Sequence, residues 1–260
     1  MLSKKVIENV LLAALSTGAD FAEIFVEDRF STNIDMVGGY VENSISGRDF
    51  GIGVRIFHGL NSVYAYTNNS EEDNLIKVAK EAALAIKSSK KDLVLNLMKS
   101  KVDNRHIVKI MPNKAEKARK VELLKRGYES AKSYDTLISQ VTSNYFDEVQ
   151  HVLIANTDGL MVEDRRIRTR FKIQSVASKD GETQIGYYGP GASMGFEFFD
   201  VIDVEEVGKE ASRIAKTMIL ADYCPSGVMP VVIHNEFGGV LFHEACGHGL
   251  EATFVSKGTS

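Results

Sequence analysis

The sequence predicts an α+β protein: an N-terminal antiparallel sheet flanked by helices, then a second α/β subdomain with long antiparallel strands and a final motif helix. Residues 4–16 and 70–86 carry apolar side chains at helical spacing. Between these segments, and again over residues 137–191, apolar and polar residues alternate and turn residues punctuate the alternation. The chain has 260 residues and 44% are hydrophobic, which is enough for a sizeable core.

Residues 1–90 are predicted to form an N-terminal α+β subdomain. A helix over residues 4–16 stops at Gly18, and strands follow from Phe21 to Asn69. A second helix is expected to begin at Ser70, an N-cap candidate with acidic residues behind it, and to reach about Ile86. We expect the turns between the strands at Gly38-Gly39, Ser46-Gly47 and Gly59-Leu60-Asn61.

Residues 91–112 are polar and irregular, and we expect them to connect this subdomain to a second α+β subdomain over residues 113–260. The second subdomain should open with a charged helix capped by Asn113. Long strands should then meet at a tight turn over residues 156–159, Asn-Thr-Asp-Gly. A helix over residues 203–222, a buried strand over residues 228–235 and the motif helix complete the prediction.

Composition narrows the functional classes. The net charge is −4, so no basic surface dominates and we expect no nucleic-acid partner. The apolar runs are too short to cross a bilayer, and Glu8 and Asn9 interrupt the signal-like start of the chain, so we expect no membrane association. The two cysteines, Cys224 and Cys246, favour a reducing compartment, and we therefore expect a cytoplasmic protein.

Two other stretches have alternative interpretations. Four arginines lie close together along one predicted strand: Arg165, Arg166, Arg168 and Arg170. They could form a basic binding face, but solvation of one side of a sheet is the simpler expectation. Residues 186–199 combine four glycines with aromatic residues. That segment could face a substrate, because glycine lets a ligand approach the backbone, or it could be a turn whose aromatic side chains cover the core.

The strongest candidate site is the sequence H-E-x-x-x-H, formed by His243, Glu244 and His248. Zinc proteases often carry H-E-x-x-H, whose two histidines share one face of a helix. Five residues apart, the histidines would diverge by roughly 140° on a regular α-helix. A π-helical turn would bring them to the same side, and Gly247 and Gly249 would ease the distortion. The motif therefore predicts a widened helix between residues 243 and 248.

In such a site the imidazoles of His243 and His248 would bind Zn²⁺, and Glu244 would accept a proton from the attacking water. A catalytic zinc ion usually has three protein ligands, and only two are evident. The possible third ligands within the chain are Glu251, Cys246, His234 and Cys224. The alternative without a metal is a buried His–Glu hydrogen-bonded pair in a packing helix.

The motif and its surroundings resemble a known family. The segment PSGVMPVVIHNEFGGVLFHEACGHGLEAT resembles the signature of the TldD/PmbA family of metalloproteases, in its metal-bearing TldD branch. The segments DFGIGVRIFHGLNSVYAYTN, ANTDGLMVEDRRIRTRF and GYYGPGASMGFEFF are similar to family blocks and occur in the same order. The sequence departs from the family at residues 234–237, where His234 and Glu236 replace an expected Gly/Pro-rich turn.

The resemblance implies a zinc-dependent peptidase in which His243 and His248 are ligands and Glu244 is catalytic. It implies a third ligand, a cysteine of a C-terminal domain, which neither Cys224 nor Cys246 matches. We therefore expect the chain to be an N-terminal portion that is inactive alone. The resemblance also implies unfolded or short peptide substrates bound in extended form, and a homodimer or a heterodimer with a PmbA-type subunit.

A second function, from a different class, is compatible with the same residues. The protein could be a non-catalytic peptide-binding or scaffold subunit of a protease-like dimer, in which the histidine pair is vestigial. Zinc content and the activity of a Glu244→Ala variant would separate these two functions.

Overall fold

The structure is a computed structural model that describes residues 2–86, 94–103 and 105–260. The chain forms two compact units, residues 1–221 and residues 222–260. The fold is α+β, as predicted, with a sheet of eight strands and six α-helices in the described ranges. None of those helices combines the length and apolarity that a membrane span requires.

The helices follow the apolar periodicity of the sequence. Ser3 caps the first helix by accepting a hydrogen bond from the backbone N–H of Val6 at 3.3 Å, and Asp203 caps the fourth in the same way through Glu205 and Glu206. The helices are α1 (Lys4–Ala14), α2 (Glu72–Ala83), α3 (Lys117–Lys132), α4 (Val204–Leu220), α5 (Asn235–Phe242) and α6 (Ala252–Ser256).

The strands form one sheet in the first unit. Neighbouring strands are antiparallel except for β4, which runs parallel to β6. The order across the sheet is β3-β2-β1-β5-β6-β4, and β7 and β8 also pair with β6. The strands are β1 (Phe21–Val37), β2 (Tyr40–His58), β3 (Asn61–Thr67), β4 (Met98–Ser100), β5 (Ile138–Asn156), β6 (Leu160–Lys179), β7 (Glu182–Tyr188) and β8 (Gly191–Ala192).

The centre of the sheet is the pairing of β1 with β5, which runs from Glu23 opposite Asn156 to Val37 opposite Thr142. The sheet is therefore continuous across the predicted boundary between residues 1–90 and residues 113–260. The division into two subdomains at that boundary stays a prediction.

The first unit has two apolar cores, one for each pair of helices. One core lies where α1 and α2 pack on the N-terminal strands, and it includes Ile7, Leu11, Ile24, Ile56 and Leu75. The other lies where α3 and α4 pack on the later strands, and it includes Leu124, Tyr145, Phe171, Val207 and Ala211. Burial of these apolar side chains is the main favourable term for the fold.

The second core also contains an ion pair. The Lys120 ammonium lies 2.5 Å from Asp147 Oδ2, and the two side chains are 2% and 0% exposed. The Tyr145 hydroxyl donates to the same oxygen at 2.7 Å. Within the described part of the chain, Asp147 Oδ1 has no hydrogen-bond partner. Burial and the neighbouring Asp147 charge raise the pKa of Tyr145 far above its ordinary value, so the phenol stays protonated and remains a donor.

Several local predictions are wrong. The turn at Ser46-Gly47 is absent, because β2 runs through it with Thr32 opposite Ser46. Residues 228–235 form no strand; residues 221–234 have no regular secondary structure, and Val228 and Val232 are fully exposed. The segment has no strand to pair with among the described residues of its unit.

Two predicted helix starts are displaced. Glu71, rather than Ser70, occupies the N-cap of α2. Asn113 lies in a 3₁₀ turn over Pro112–Lys114, and Glu116 precedes α3. Of the predicted connection, residues 91–93 and 104 lie outside the described residues, and its described part contains the short strand β4.

Candidate metal centre

The motif lies at the end of a short helix in the second unit. His234 occupies the N-cap of α5, where its Nδ1 accepts a hydrogen bond from the backbone N–H of Glu236 at 3.3 Å. His234, for which the sequence suggested only a possible ligand role, therefore caps the helix that carries the motif.

The backbone of the motif is widened, as the spacing predicts. His243–Gly247 form a π-helix, and the backbone N–H of His248 donates to the carbonyl of His243, five residues earlier. A side chain at position 247 would place its Cβ 3.3 Å from His243 Nδ1. The glycine at 247 thus leaves room for the His243 ring beside the turn.

The widened turn brings the motif side chains together. The imidazole rings of His243 and His248 have centroids 4.6 Å apart. One ligand atom from each of His243, Glu244 and His248 lies within 4.8 Å of the others, and all three residues are exposed. The divergence expected of a regular helix is absent, and so is the burial expected of a His–Glu pair in a packing helix.

A second carboxylate fixes the orientation of His248. Glu251 Oε1 lies 2.6 Å from His248 Nδ1, and Glu244 Oε2 lies 3.4 Å from His248 Nε2. In the tautomer whose Nδ1 carries the proton, Glu251 accepts that hydrogen bond and Nε2 keeps a lone pair for a metal. Carboxylates commonly orient metal-binding histidines in this way. Glu251 thus contacts one of the two predicted histidine ligands, and the identity of the third ligand stays a prediction.

The donor set fits a divalent transition metal. Zinc binds imidazole nitrogens at about 2.0–2.1 Å, so two ligands of one ion lie within roughly 4 Å of each other. The separations within this cluster require only small side-chain adjustments to reach that distance. Cys246 and Cys224 are exposed, and neither belongs to the cluster formed by the described residues.

The glycine- and aromatic-rich segment serves packing. Phe196 and Phe198 are 3% exposed, and both rings contact Phe199. Gly186 lies against α4, where an added Cβ would come within 2.0 Å of the carbonyl oxygen of Ala211. Its lack of a side chain permits close strand–helix approach. These contacts bear out the core-covering interpretation for Phe196 and Phe198, whereas Tyr187 and Tyr188 are exposed.

Comparison with known proteins identifies the family of the chain. Residues 22–86 match the family model described as PmbA/TldA metallopeptidase domain 1, and residues 111–219 match the PmbA/TldA metallopeptidase central domain. Proteins named metalloprotease TldD homolog are 29% identical over 267 residues in Haemophilus influenzae and 28% identical over 249 residues in Buchnera aphidicola. The alignments cover 100% and 93% of this chain, but 55% and 51% of those proteins.

Solved structures share the fold. TldE from Thermococcus kodakarensis superposes with a TM-score of 0.60 at 16% identity, over 81% of this chain and 47% of that one. A Thermotoga maritima protein gives a TM-score of 0.67 at 18% identity, over 86% and 50% of the two chains. The chain thus spans about half the length of the relatives that it matches. The chain matches two domain models of one family and aligns with its named relatives over almost all of its residues. The chain therefore belongs to the PmbA/TldD family of metallopeptidases.

Proposed function

We propose that the protein is a subunit of a zinc-dependent peptidase, and that His243 and His248 hold the metal while Glu244 acts as the catalytic base. The observation that carries this proposal is the π-helical turn, which brings two imidazoles and a carboxylate within 4.8 Å of one another. The curated relatives named metalloproteases support the hydrolase class.

The proposed roles follow from the contacts of each side chain. When bound, zinc supplies a Lewis acid that lowers the pKa of a coordinated water and polarises a carbonyl. Glu244 is exposed and lies in the cluster, and in this scheme its carboxylate accepts a proton from the attacking water and returns it to the leaving amine. Glu251 accepts a hydrogen bond from Nδ1 of His248 in this scheme, which orients the ring so that Nε2 faces the metal. Glu251 is a positioning residue in this scheme.

The third ligand is proposed to come from outside residues 1–260. A catalytic zinc site normally has three protein ligands, and the cluster supplies two imidazoles. We expect residues 1–260 alone to bind zinc weakly and to be inactive, because losing one ligand removes much of the affinity.

The substrates are proposed to be unfolded or short peptides bound in extended form. We further propose that the protein works in the cytoplasm, either as a homodimer or with a PmbA-type partner. These parts of the proposal rest on family membership.

Zinc content and hydrolysis of a fluorogenic peptide test the proposal in the full-length protein, with any partner that copurifies. His243→Ala should lose bound zinc, and Glu244→Gln should keep zinc but lose hydrolysis. Glu236→Gln removes an exposed carboxylate outside the cluster and serves as the matched control. Hydrolysis that survives Glu244→Gln would refute the assigned base. A wild-type protein that neither binds zinc nor hydrolyses the peptide would be the non-catalytic peptide-binding or scaffold subunit.

A further inference from the structure

The outer edge of β6 contains a gap. On the edge opposite β5, β4 pairs with Leu160–Val162 and β8 pairs with Thr169 and Arg170. Residues 163–168, between these pairings, have no strand partner on that edge among the described residues. An open strand edge presents backbone N–H and C=O groups that an extended peptide can pair with.

A groove lies against this gap. Its volume is about 350 Å³, at the low end of ligand pockets, so it suits a short segment rather than a folded domain. One side consists of strand residues 164–168. The other side consists of Val102, Asp103, Arg105, His106, Val108 and Ser193.

The groove is basic. Its lining includes Arg105, Arg165, Arg166 and Arg168, against two carboxylates, Asp103 and Asp164. Arg166 pairs with Asp164 at 3.1 Å, and Arg168 lies 3.6 Å from Glu148, which is outside the groove. Neither Arg105 nor Arg165 forms an ion pair with any described residue. A guanidinium group matches a carboxylate through two parallel hydrogen bonds, so these two arginines select for an acidic ligand.

The gap also offers backbone hydrogen bonding. The backbone N–H of Arg165 donates to the carboxylate of Asp164, the preceding residue, at 2.7 Å. This local hydrogen bond satisfies the backbone N–H of Arg165, which has no partner in a neighbouring strand on this edge among the described residues. A carbonyl oxygen of an added strand can replace the Asp164 oxygen and free this carboxylate to pair fully with Arg166.

The wall opposite the gap is anchored. The buried Glu197 carboxylate accepts hydrogen bonds from the backbone N–H groups of Lys109 at 3.0 Å, Ile110 at 2.8 Å and Gly195 at 3.1 Å. The backbone N–H of Phe196 donates to the carbonyl of Ile110 at 2.8 Å. These bonds tie Lys109 and Ile110, which directly follow the groove residue Val108, to the loop that carries Ser193. The groove is therefore formed before a ligand arrives, which lowers the entropic cost of binding.

We propose that this groove binds a short acidic peptide segment, which adds to β6 as an extra strand between β4 and β8 and places its carboxylates on Arg105 and Arg165. The occupant is an Asp- or Glu-rich stretch in extended conformation. The proposal is independent of the metal centre, because binding requires neither metal nor hydrolysis.

Fluorescence anisotropy with labelled peptides, in metal-free buffer, tests the proposal. An eight-residue peptide alternating glutamate and valine is compared with a lysine–valine peptide, and with a glutamate–valine peptide whose central backbone nitrogens are methylated. The protein variants are Arg105→Gln/Arg165→Gln, in the groove, and Lys5→Gln/Lys179→Gln. The second variant removes the same charge from exposed sites elsewhere, and circular dichroism checks that both variants are folded.

The glutamate peptide should bind, and methylation should weaken it, because methylated nitrogens cannot donate to a strand edge. The arginine variant should bind about tenfold more weakly or worse, as expected for loss of charge-assisted hydrogen bonds, whereas the lysine variant should match wild type. Equal binding of the lysine peptide, or equal loss in both variants, would overturn the proposal. Full affinity of the methylated peptide, or equally tight binding of a single-stranded RNA octamer, would also overturn it, because the groove would then recognise charge without a strand.

Discussion

Replacing Lys120 with methionine should destabilise the first unit strongly. The change keeps the aliphatic stem and removes the ammonium that lies 2.5 Å from Asp147. The Asp147 carboxylate is fully buried, and it would keep one hydrogen bond, from Tyr145. Removing one partner of a buried ion pair costs about 3–5 kcal/mol, because the remaining charge is left without compensation. At about 2–4 °C per kcal/mol for a unit of this size, we expect Tm to fall by roughly 10 °C.

Urea unfolding followed by circular dichroism measures this loss. The control is Lys125→Met in the same helix, where the lysine is exposed and pairs with exposed Glu129; it should change stability by less than about 0.5 kcal/mol. The triple variant Lys120→Met/Asp147→Leu/Tyr145→Phe replaces the whole polar cluster and should recover most of the stability. A loss below about 1 kcal/mol for Lys120→Met would refute the reasoning. A triple variant no more stable than the single one would instead assign the loss to packing.

Three further predictions test other contacts. Burial alone would raise the pKa of Glu197, but hydrogen bonds from backbone N–H groups outweigh burial and lower that pKa. The ionised Glu197 therefore stabilises the fold above its unfolded pKa of about 4.3, and this stabilisation is lost as pH falls through the lower folded pKa. Unfolding free energies measured between pH 6 and pH 3 should therefore fall more steeply for the wild type than for Glu197→Gln, and parallel curves would contradict this. Gly208→Ala should lower the free energy of unfolding in urea by about 1–3 kcal/mol, because the added Cβ would come 2.4 Å from the carbonyl oxygen of Gly127. Gly47→Ala should be neutral, because no atom lies within 4 Å of its added Cβ. Equal effects of the two changes would disprove close helix packing as the cause. Glu251→Ala should weaken zinc binding about 10–100-fold in chelator competition while Glu236→Ala leaves it unchanged, and an unaltered affinity for Glu251→Ala would remove its positioning role.

The sequence predicted the elements whose signals are local. Periodicity placed α1 and α4, and the residues 156–159 placed the turn between β5 and β6. The turn predicted at Ser46-Gly47 is absent because seventeen residue pairs between β1 and β2 hold that stretch in a strand despite its turn residues. The strand predicted at residues 228–235 is also absent, since apolar content alone does not provide a strand partner.

In the candidate metal centre, too, the features with a local sequence signal could be predicted and the long-range features could not. The spacing of His243 and His248 required a specific backbone, and the π-helix has it. The contact between His248 and Glu251 could be anticipated from their three-residue spacing, whereas the positioning role of Glu251 is a proposal. Two hydrogen bonds of Glu197, from Lys109 and Ile110, join residues more than 80 positions apart, and the gap in the edge of β6 depends on where β4 and β8 stop. No local pattern encodes either feature.

The pairing of β1 with β5 has a consequence for how the first unit folds. These strands are more than a hundred residues apart in the sequence, so their register forms only after a long loop closes, which is entropically costly and slow. Once formed, the pairing links the stretches matched by the two family domain models through fifteen residue pairs, so neither stretch can unravel without exposing strand edges of the other. Residues 1–221 should therefore melt in one cooperative transition and refold slowly. If the chain is divided between α2 and α3, the two fragments should regain structure only when they are mixed.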